Sequence, residues 1–62
     1  MDIESKLWRV TSTNTAQVAI IQKASGAVRY VGRSALPSTE SMAAMHERAF
    51  DRHAREAFHG EK

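Results

Sequence analysis

Three histidines near the carboxyl end are the residues best suited to bind a metal ion. Two histidines on one helix usually share an ion when they stand four residues apart. His46 and His53 are seven residues apart, which places them about 10.5 Å apart along a helix axis. His53 and His59 are six residues apart and fall on different sides of a helix. The chain also has no cysteine, so we predict no metal site.

Side chains that could act in catalysis are present, but their positions do not support a reaction. Most serines fall in predicted loops, and Glu47 and Asp51 fall on the predicted solvent side of a helix. The three glycines, Gly26, Gly32 and Gly60, are isolated, whereas a phosphate-binding loop needs them clustered. We therefore expect a protein that is not an enzyme and that needs no cofactor.

The cations are unevenly distributed along the chain, although the formal net charge is only +2. Residues 5–37 contain no acidic residue and carry Lys6, Arg9, Lys23, Arg29 and Arg33. Residues 38–62 hold four cations and five acids. A section whose charged residues are all basic indicates an electrostatic binding face. The alternative is an ordinary solvated surface that these side chains keep soluble.

The elements that must position these residues are strands followed by a helix. Runs of alternating β-prone residues predict three strands, at about 6–12, 17–23 and 27–33. The last two are joined by a turn at 24–26, and residues 1–5 are predicted to be frayed. An amphipathic helix is predicted at about 38–59, with Ser38 as its N-cap. The predicted fold is α+β, a three-stranded antiparallel sheet with one long C-terminal helix on one face (βββα), in a single domain of residues 1–62.

Alternation along the three strands divides the predicted sheet into two faces. One face is expected to form the core with the helix and collects Trp8, Val10, Val18, Ile20, Val28 and Tyr30. The other face is expected to be basic and collects Arg9, Thr11, Ala19, Ile21, Lys23, Arg29, Val31 and Arg33. This division depends on the turns, because a slip of one residue moves every side chain of a strand to the opposite face.

The basic face predicts a small regulator that binds nucleic acid. Arginine and lysine neutralise phosphates, and arginine can read guanine through two hydrogen bonds. The predicted contact residues are Arg9, Lys23, Arg29, Arg33, Ile21 and Val31. In topology, and in the run Arg29-Tyr30-Val31-Gly32 leading toward an alanine-rich helix, the chain resembles sheet-type DNA-binding domains such as the arm-binding domains of integrases. The resemblance assigns no role to any residue.

Protein binding is the alternative interpretation. Ile21 and Val31 would stand exposed among arginines, as on a contact surface. An open sheet edge could also accept a strand from a partner. The chain would then be an inhibitor or adaptor of the phage or plasmid type, with an acidic or nucleic-acid-processing protein as its partner. The wide apolar stripe of the predicted helix also suggests a homodimer.

The composition predicts a cytoplasmic protein that is not associated with a membrane. No apolar run approaches the ~18 residues that a membrane span needs. The first residues lack the basic start and the apolar core of a signal peptide. The lack of cysteine is consistent with a reducing compartment.

Overall fold

A computed structural model describes residues 2–14 and 16–60, and these form a four-stranded antiparallel sheet with helices on one side. The strands lie in the sheet in the same order as in the chain. They comprise β1 at Asp2–Glu4, β2 at Trp8–Ser12, β3 at Gln17–Gln22 and β4 at Val28–Gly32. The predicted α+β class is therefore confirmed, whereas the predicted count of three strands is wrong.

The additional strand lies in a segment for which the sequence predicts no structure. Residues 1–5 are predicted to be frayed, yet β1 pairs with β2 and places Ile3 opposite Val10. Ile3 is half-buried and packs against the core, and this burial holds the segment on the sheet. Met1 lies outside the described residues. A strand of three residues is too short to show alternation in a sequence.

Two helices replace the single long helix predicted at about 38–59. A 3₁₀ turn at Arg33–Ala35 is followed by α1 at Thr39–Ala44 and α2 at Glu47–His59. The break lets α1 contact β1 while α2 contacts β2 and β4. Alanine, methionine and glutamate favour helix on both sides of the break, so propensity alone predicts one continuous helix. Among the described residues, neither helix is long and apolar enough to cross a membrane.

Side-chain caps mark where the two helices begin. The Ser38 Oγ accepts a hydrogen bond from the Ser41 backbone N–H at 3.1 Å, so the predicted N-cap is confirmed. His46 has an extended backbone, and its Nδ1 accepts a hydrogen bond from the Arg48 backbone N–H at 3.2 Å. This bond satisfies one of the N–H groups that a helix leaves open at its start. His46 therefore sets the beginning of α2.

The hairpin of β3 and β4 is one residue out of the predicted register. Gln22 donates its backbone N–H to the Ala27 carbonyl at 2.9 Å, which closes a loop of residues 23–26. Gly26 lies in this loop with a φ of 78°, which glycine adopts without strain. The predicted turn at 24–26 is one residue shorter. Because side chains alternate along a strand, the extra loop residue moves each side chain of β4 to the opposite face.

The observed register reverses the predicted faces of β4. Arg29 and Val31 lie on the side of the sheet that packs against the helices. Val28 and Tyr30 lie on the other side, where they are 45% and 63% exposed, so their predicted place in the core is wrong. The predicted place of Arg29, Val31 and Arg33 on a basic face opposite the helices is wrong for the same reason.

The core fills the space between the sheet and the helices. Its buried members are Trp8, Val10, Val18, Ile20, Met42, Phe50, Ala54 and Phe58. The predicted core positions on β2 and β3 are therefore confirmed. The rings of Trp8 and Phe58 lie 5.3 Å apart between centroids, and the Trp8 indole N–H donates to Asp51 Oδ1 at 2.7 Å. A ring contact and a hydrogen bond thus join the sheet to α2.

Asp51 leads us to expect a specific loss of stability in acid. The hydrogen bond from Trp8, followed by the hydrogen bond and charge of Arg55, lowers the pKa of the Asp51 carboxyl below its ordinary value of 3.8. A carboxyl whose pKa falls on folding stabilises the fold above its unfolded pKa, and this contribution is lost as the pH drops through the folded pKa. We expect the free energy of unfolding to decline below about pH 4 and Asp51→Asn to flatten that decline. Urea titrations across this range measure the effect, and an acid decline of equal steepness in the variant would contradict it.

Candidate binding surface

The side of the sheet opposite the helices is an uncovered surface, which we call the open face. The antiparallel register arranges its side chains in rows across the four strands. One row consists of Glu4, Arg9, Ile21 and Val28, and the next consists of Asp2, Thr11, Ala19 and Tyr30. In each row the two residues on β1 and β2 are polar, whereas the two on β3 and β4 are aliphatic or aromatic. The open face therefore has a polar half on β1 and β2 and an apolar half on β3 and β4.

The apolar half carries no charged residue on its strands. Its residues are Gln17, Ala19, Ile21, Val28, Tyr30 and Gly32. Ala19 stands between Thr11 and Tyr30 in the register and is buried, while Ile21 is half-buried. Val28 and Tyr30 are the exposed large apolar residues of the described strands. An aromatic and an aliphatic side chain exposed together on one surface are typical of a protein contact.

The polar half holds its cations in ion pairs. Arg9 contacts Glu4 Oε1 at 2.9 Å, and Lys23 Nζ, from the adjoining loop, contacts Glu4 Oε2 at 2.8 Å. Lys23 also donates to the Ser5 carbonyl at 2.8 Å. The hydrogen bond and charge of Lys23, followed by the charge of Arg9, lower the pKa of the Glu4 carboxyl. A phosphate group would have to compete with Glu4 for both of these predicted contact residues.

Two other predicted contact residues belong to the helix side of β4. The Arg29 guanidinium carbon lies 5.5 Å from the centre of the Phe58 ring, in a cation–π contact between β4 and α2. Val31 is half-buried and packs against the core. The sequence prediction misses Val28 and Tyr30, which occupy the open face in their place. Three-residue and four-residue loops are both common in hairpins, so no local signal reveals this exchange.

The last predicted contact residue, Arg33, lies beyond the end of β4 on the helix side. Its guanidinium donates to Ser12 Oγ at 3.3 Å and to the Asn14 carbonyl at 2.9 Å. The open face therefore brings together only Arg9 and Ile21 of the six predicted contact residues, with Lys23 at its border. The other three are held on the opposite side of the sheet.

The two edges of the sheet differ in their protection against pairing with another strand. β1 is three residues long and carries the acidic side chains of Asp2 and Glu4, and short charged edges discourage pairing. β4 is five residues long, and its open-face side chains are uncharged. Within residues 2–14 and 16–60, no further strand pairs with β4. β4, which carries a charge only at Arg29 on its helix side, is therefore the less protected edge.

Helix α2 presents a row of arginines away from the sheet. Arg48, Arg52 and Arg55 follow one another at spacings of four and three residues and are exposed. Arg55 is paired with Asp51. In the part of the chain that the structure describes, Arg48 and Arg52 form no ion pair. This row is a second charged surface, separate from the basic face predicted on the sheet.

A groove of about 570 Å³ lies between β4 and the end of α2. Arg29, Glu56 and Gly60 are among the residues that line it, so charges of both signs border the groove. Arg29 is exposed, so α2 does not fully cover the helix side of β4. No set of three or more histidine, cysteine, aspartate or glutamate side chains among the described residues is grouped to hold a metal ion.

Comparisons with known proteins identify no relative of this chain. No family model matches it. Neither the curated proteins nor the solved structures gave a match. The candidate surfaces therefore rest on the geometry and chemistry of this chain alone.

Proposed function

We propose that this chain is a small non-enzymatic binding protein that contacts a protein partner through the apolar half of its open face. One observation carries the proposal: Val28 and Tyr30 stand exposed beside Ile21, with no charged side chain on that half. Tyrosine is enriched at the energetic centres of protein interfaces, because it buries a large rigid surface and keeps a polar tip. We therefore propose an inhibitor or adaptor, because both act by contacting a protein partner.

The neighbouring charges are consistent with the rim of such an interface. Arg9 borders the apolar half and is already paired with Glu4, so the surface beside Tyr30 is nearly neutral. Protein interfaces typically exclude charge from their centre and carry it at the rim. On this face few cations are available to bind the phosphates of a nucleic acid, whereas Tyr30 can bury its ring against an apolar protein surface.

The experiment compares binding by variants that differ in where a charge is added. The native chain, with a tag after Lys62, is used to capture partners from host extract, and each candidate is then purified for titration. We expect the double variant Val28→Lys, Tyr30→Lys to bind at least about 30-fold more weakly, the effect of losing an interface hot spot. Tyr30→Lys alone is compared with the control Leu7→Lys, since each adds one charge and Leu7 is 52% exposed but lies outside the strands.

Unchanged affinity of the double variant for every purified partner would contradict the proposal. An equal loss in Leu7→Lys would also contradict it, because the effect would then come from added charge rather than from the open face. Circular dichroism of each variant establishes that the fold is intact before binding is compared.

Nucleic-acid binding is a second candidate function, favoured by one specific observation. Arg48 and Arg52 are exposed and form no ion pair with any described residue, and the formal net charge is +2. In this version the contacts come from α2 rather than from the sheet. We propose a gel-retardation assay of random duplex over a series of salt concentrations that starts at about 50 mM, in which each phosphate contact contributes about one to the salt slope.

Nucleic-acid binding through α2 and nucleic-acid binding through the sheet should be weakened by different substitutions. Arg48→Ala with Arg52→Ala should lower the salt slope if α2 binds phosphates, whereas Arg9→Ala with Lys23→Ala should lower it if the sheet does. Arg29→Ala with Arg33→Ala extends the test to the helix side of β4. The absence of any retarded complex would remove this candidate.

A further inference from the structure

The free edge of β4 has a defined set of main-chain groups available for pairing. At one end of the β3–β4 ladder, the Gln22 backbone N–H donates to the Ala27 carbonyl. At the other end, the Arg33 backbone N–H donates to the Ala16 carbonyl at 2.9 Å. In an antiparallel ladder, every second residue bonds to the neighbouring strand and the others point their N–H and C=O groups away from it. The odd-numbered residues of β4 therefore bond to β3. Val28, Tyr30 and Gly32 direct their main-chain groups to the free edge.

We infer that β4 pairs antiparallel with β4 of a second copy of this chain, about a two-fold axis at Tyr30. Tyr30 then exchanges two main-chain hydrogen bonds with the partner's Tyr30. Val28 stands opposite the partner's Gly32, and Arg29 stands opposite the partner's Val31. All three positions with outward main-chain groups are paired with positions of the same kind. The contact is isologous, so it closes as a dimer and does not propagate.

The two nearest alternative registers are less favourable. Shifting the pairing by two residues in one direction places Arg29 opposite the partner's Arg29, and like charges directly opposite on neighbouring strands are destabilising. The shift in the other direction places Val28 opposite the partner's Ser34, which lies in the 3₁₀ turn after β4, so one pair of main-chain groups is lost. The register centred on Tyr30 avoids both costs, and it pairs two aromatic rings across the axis, which is a favourable cross-strand contact.

Shape supports the same register. Gly32 has no side chain to oppose the branched Val28 of the other copy, and the two tyrosines face each other on the open face.

The axis is perpendicular to the sheet, so the helices of both copies lie on one side and both open faces lie on the other. The result is a continuous eight-stranded sheet in which the two apolar halves meet at the centre. This inference does not depend on the proposed function, but it would double the surface that the proposed function uses.

Sedimentation equilibrium of the native chain is the primary test. A five-residue strand pair is a small interface, so we expect a monomer–dimer equilibrium with a dissociation constant of roughly 10 to 100 μM. Tyr30→Pro removes the outward N–H without removing any bond to β3, and we expect it to abolish the dimer while the fold is retained. Tyr30→Ala keeps the N–H and loses only the ring, so we expect a weaker dimer. A native chain that stays monomeric up to about 1 mM, or a folded Tyr30→Pro dimer of native affinity, would overturn the inference.

Disulfide trapping tests the register without changing Tyr30, and the native chain has no cysteine to interfere. Residues in a hydrogen-bonded pair have Cα atoms about 5.5 Å apart, within the range that a disulfide spans. Gly32 has a φ of −65°, and a Cβ there meets no atom nearer than 4.0 Å, so cysteine is tolerated. We expect rapid cross-linking when Val28→Cys and Gly32→Cys are mixed, and none in either variant alone. A dimer that persists while the mixed pair fails to cross-link would show another register and overturn the inference.

The dimer and the proposed function can fail separately. Ile21 lies on the apolar half but on β3, away from the free edge. If Ile21→Lys loses a purified partner and keeps the dimer, both statements hold. If the native chain is monomeric and still binds that partner through Tyr30, only the inference is wrong. If it forms the dimer and the double variant binds every partner normally, only the proposed function is wrong.

Discussion

Replacing Trp8 with alanine is expected to destabilise the domain by about 3 to 5 kcal/mol. Trp8 is 2% exposed, packs on the Phe58 ring and donates its indole N–H to Asp51. The substitution therefore leaves a cavity and also removes a hydrogen-bond donor from a carboxylate. A chain of 62 residues has a free energy of unfolding of roughly 3 to 9 kcal/mol, so the substitution removes at least about a third of the stability. Urea titration followed by circular dichroism measures the loss.

Tyr30→Ala is the matched control, because it truncates an aromatic residue of the same sheet. The register predicted from the sequence puts Tyr30 in the core beside Trp8, whereas the structure leaves it exposed. We expect a change within about 0.5 kcal/mol, as for most surface substitutions. The titration is run at about 5 μM, so that association of copies contributes little to stability. Equal losses in the two variants would support the predicted register and contradict the observed one.

Ile20→Ala is expected to cost about 2 to 5 kcal/mol. Ile20 is fully buried, at 0% exposure, and lies opposite Val10 on β2 and Arg29 on β4. It is at the centre of the sheet and under the helices, where the structure around it cannot collapse to fill the space. The cost should therefore fall in the upper part of this range, above the roughly 2.4 kcal/mol that the transfer of three lost carbons accounts for at about 0.8 kcal/mol each. A shift in the midpoint of urea unfolding reports it.

The adjacent residue provides the control for Ile20. Ile21→Ala removes the same atoms from the same strand, but Ile21 is half-buried on the open face and solvent can occupy the space. We expect a loss of roughly 1 kcal/mol. A larger loss for Ile21 than for Ile20 would mean that β3 presents its faces the other way round, and both the core and the open face would then be misassigned.

The sequence predicted the core most clearly on β2, where Trp8 and Val10 alternate with polar residues. On β3 both faces carry apolar residues, and the face with Val18 and Ile20 was the one predicted to meet the helix. The structure buries all four of these residues. Ser38 was also correctly predicted as an N-cap. Serine is favoured at this position, and Ser38 stands between a proline and an alanine-rich run. These features are local, so their physical cause is visible in the local sequence.

Other features depend on contacts between distant segments. β1 exists because Ile3 packs on the core, and its three residues carry too little pattern to be recognised. The break before α2 exists because α1 and α2 pack on different parts of the sheet, and His46 happens to supply the cap. The sequence predicted that Arg9, Ile21 and Lys23 lie on or beside the open face, but it did not predict that Val28 and Tyr30 lie there too.

The sequence by itself determined the α+β class, the buried faces of β2 and β3, and the presence of a helical region after Ser38. Only the tertiary structure decided which face of β4 meets solvent, and with it the character of the candidate surface. The reason is that a hairpin loop one residue longer costs little locally, while it reverses every side chain that follows. Packing settled the choice, because Val31 then joins the core and Arg29 lies over Phe58, while Val28 and Tyr30 are left facing outward.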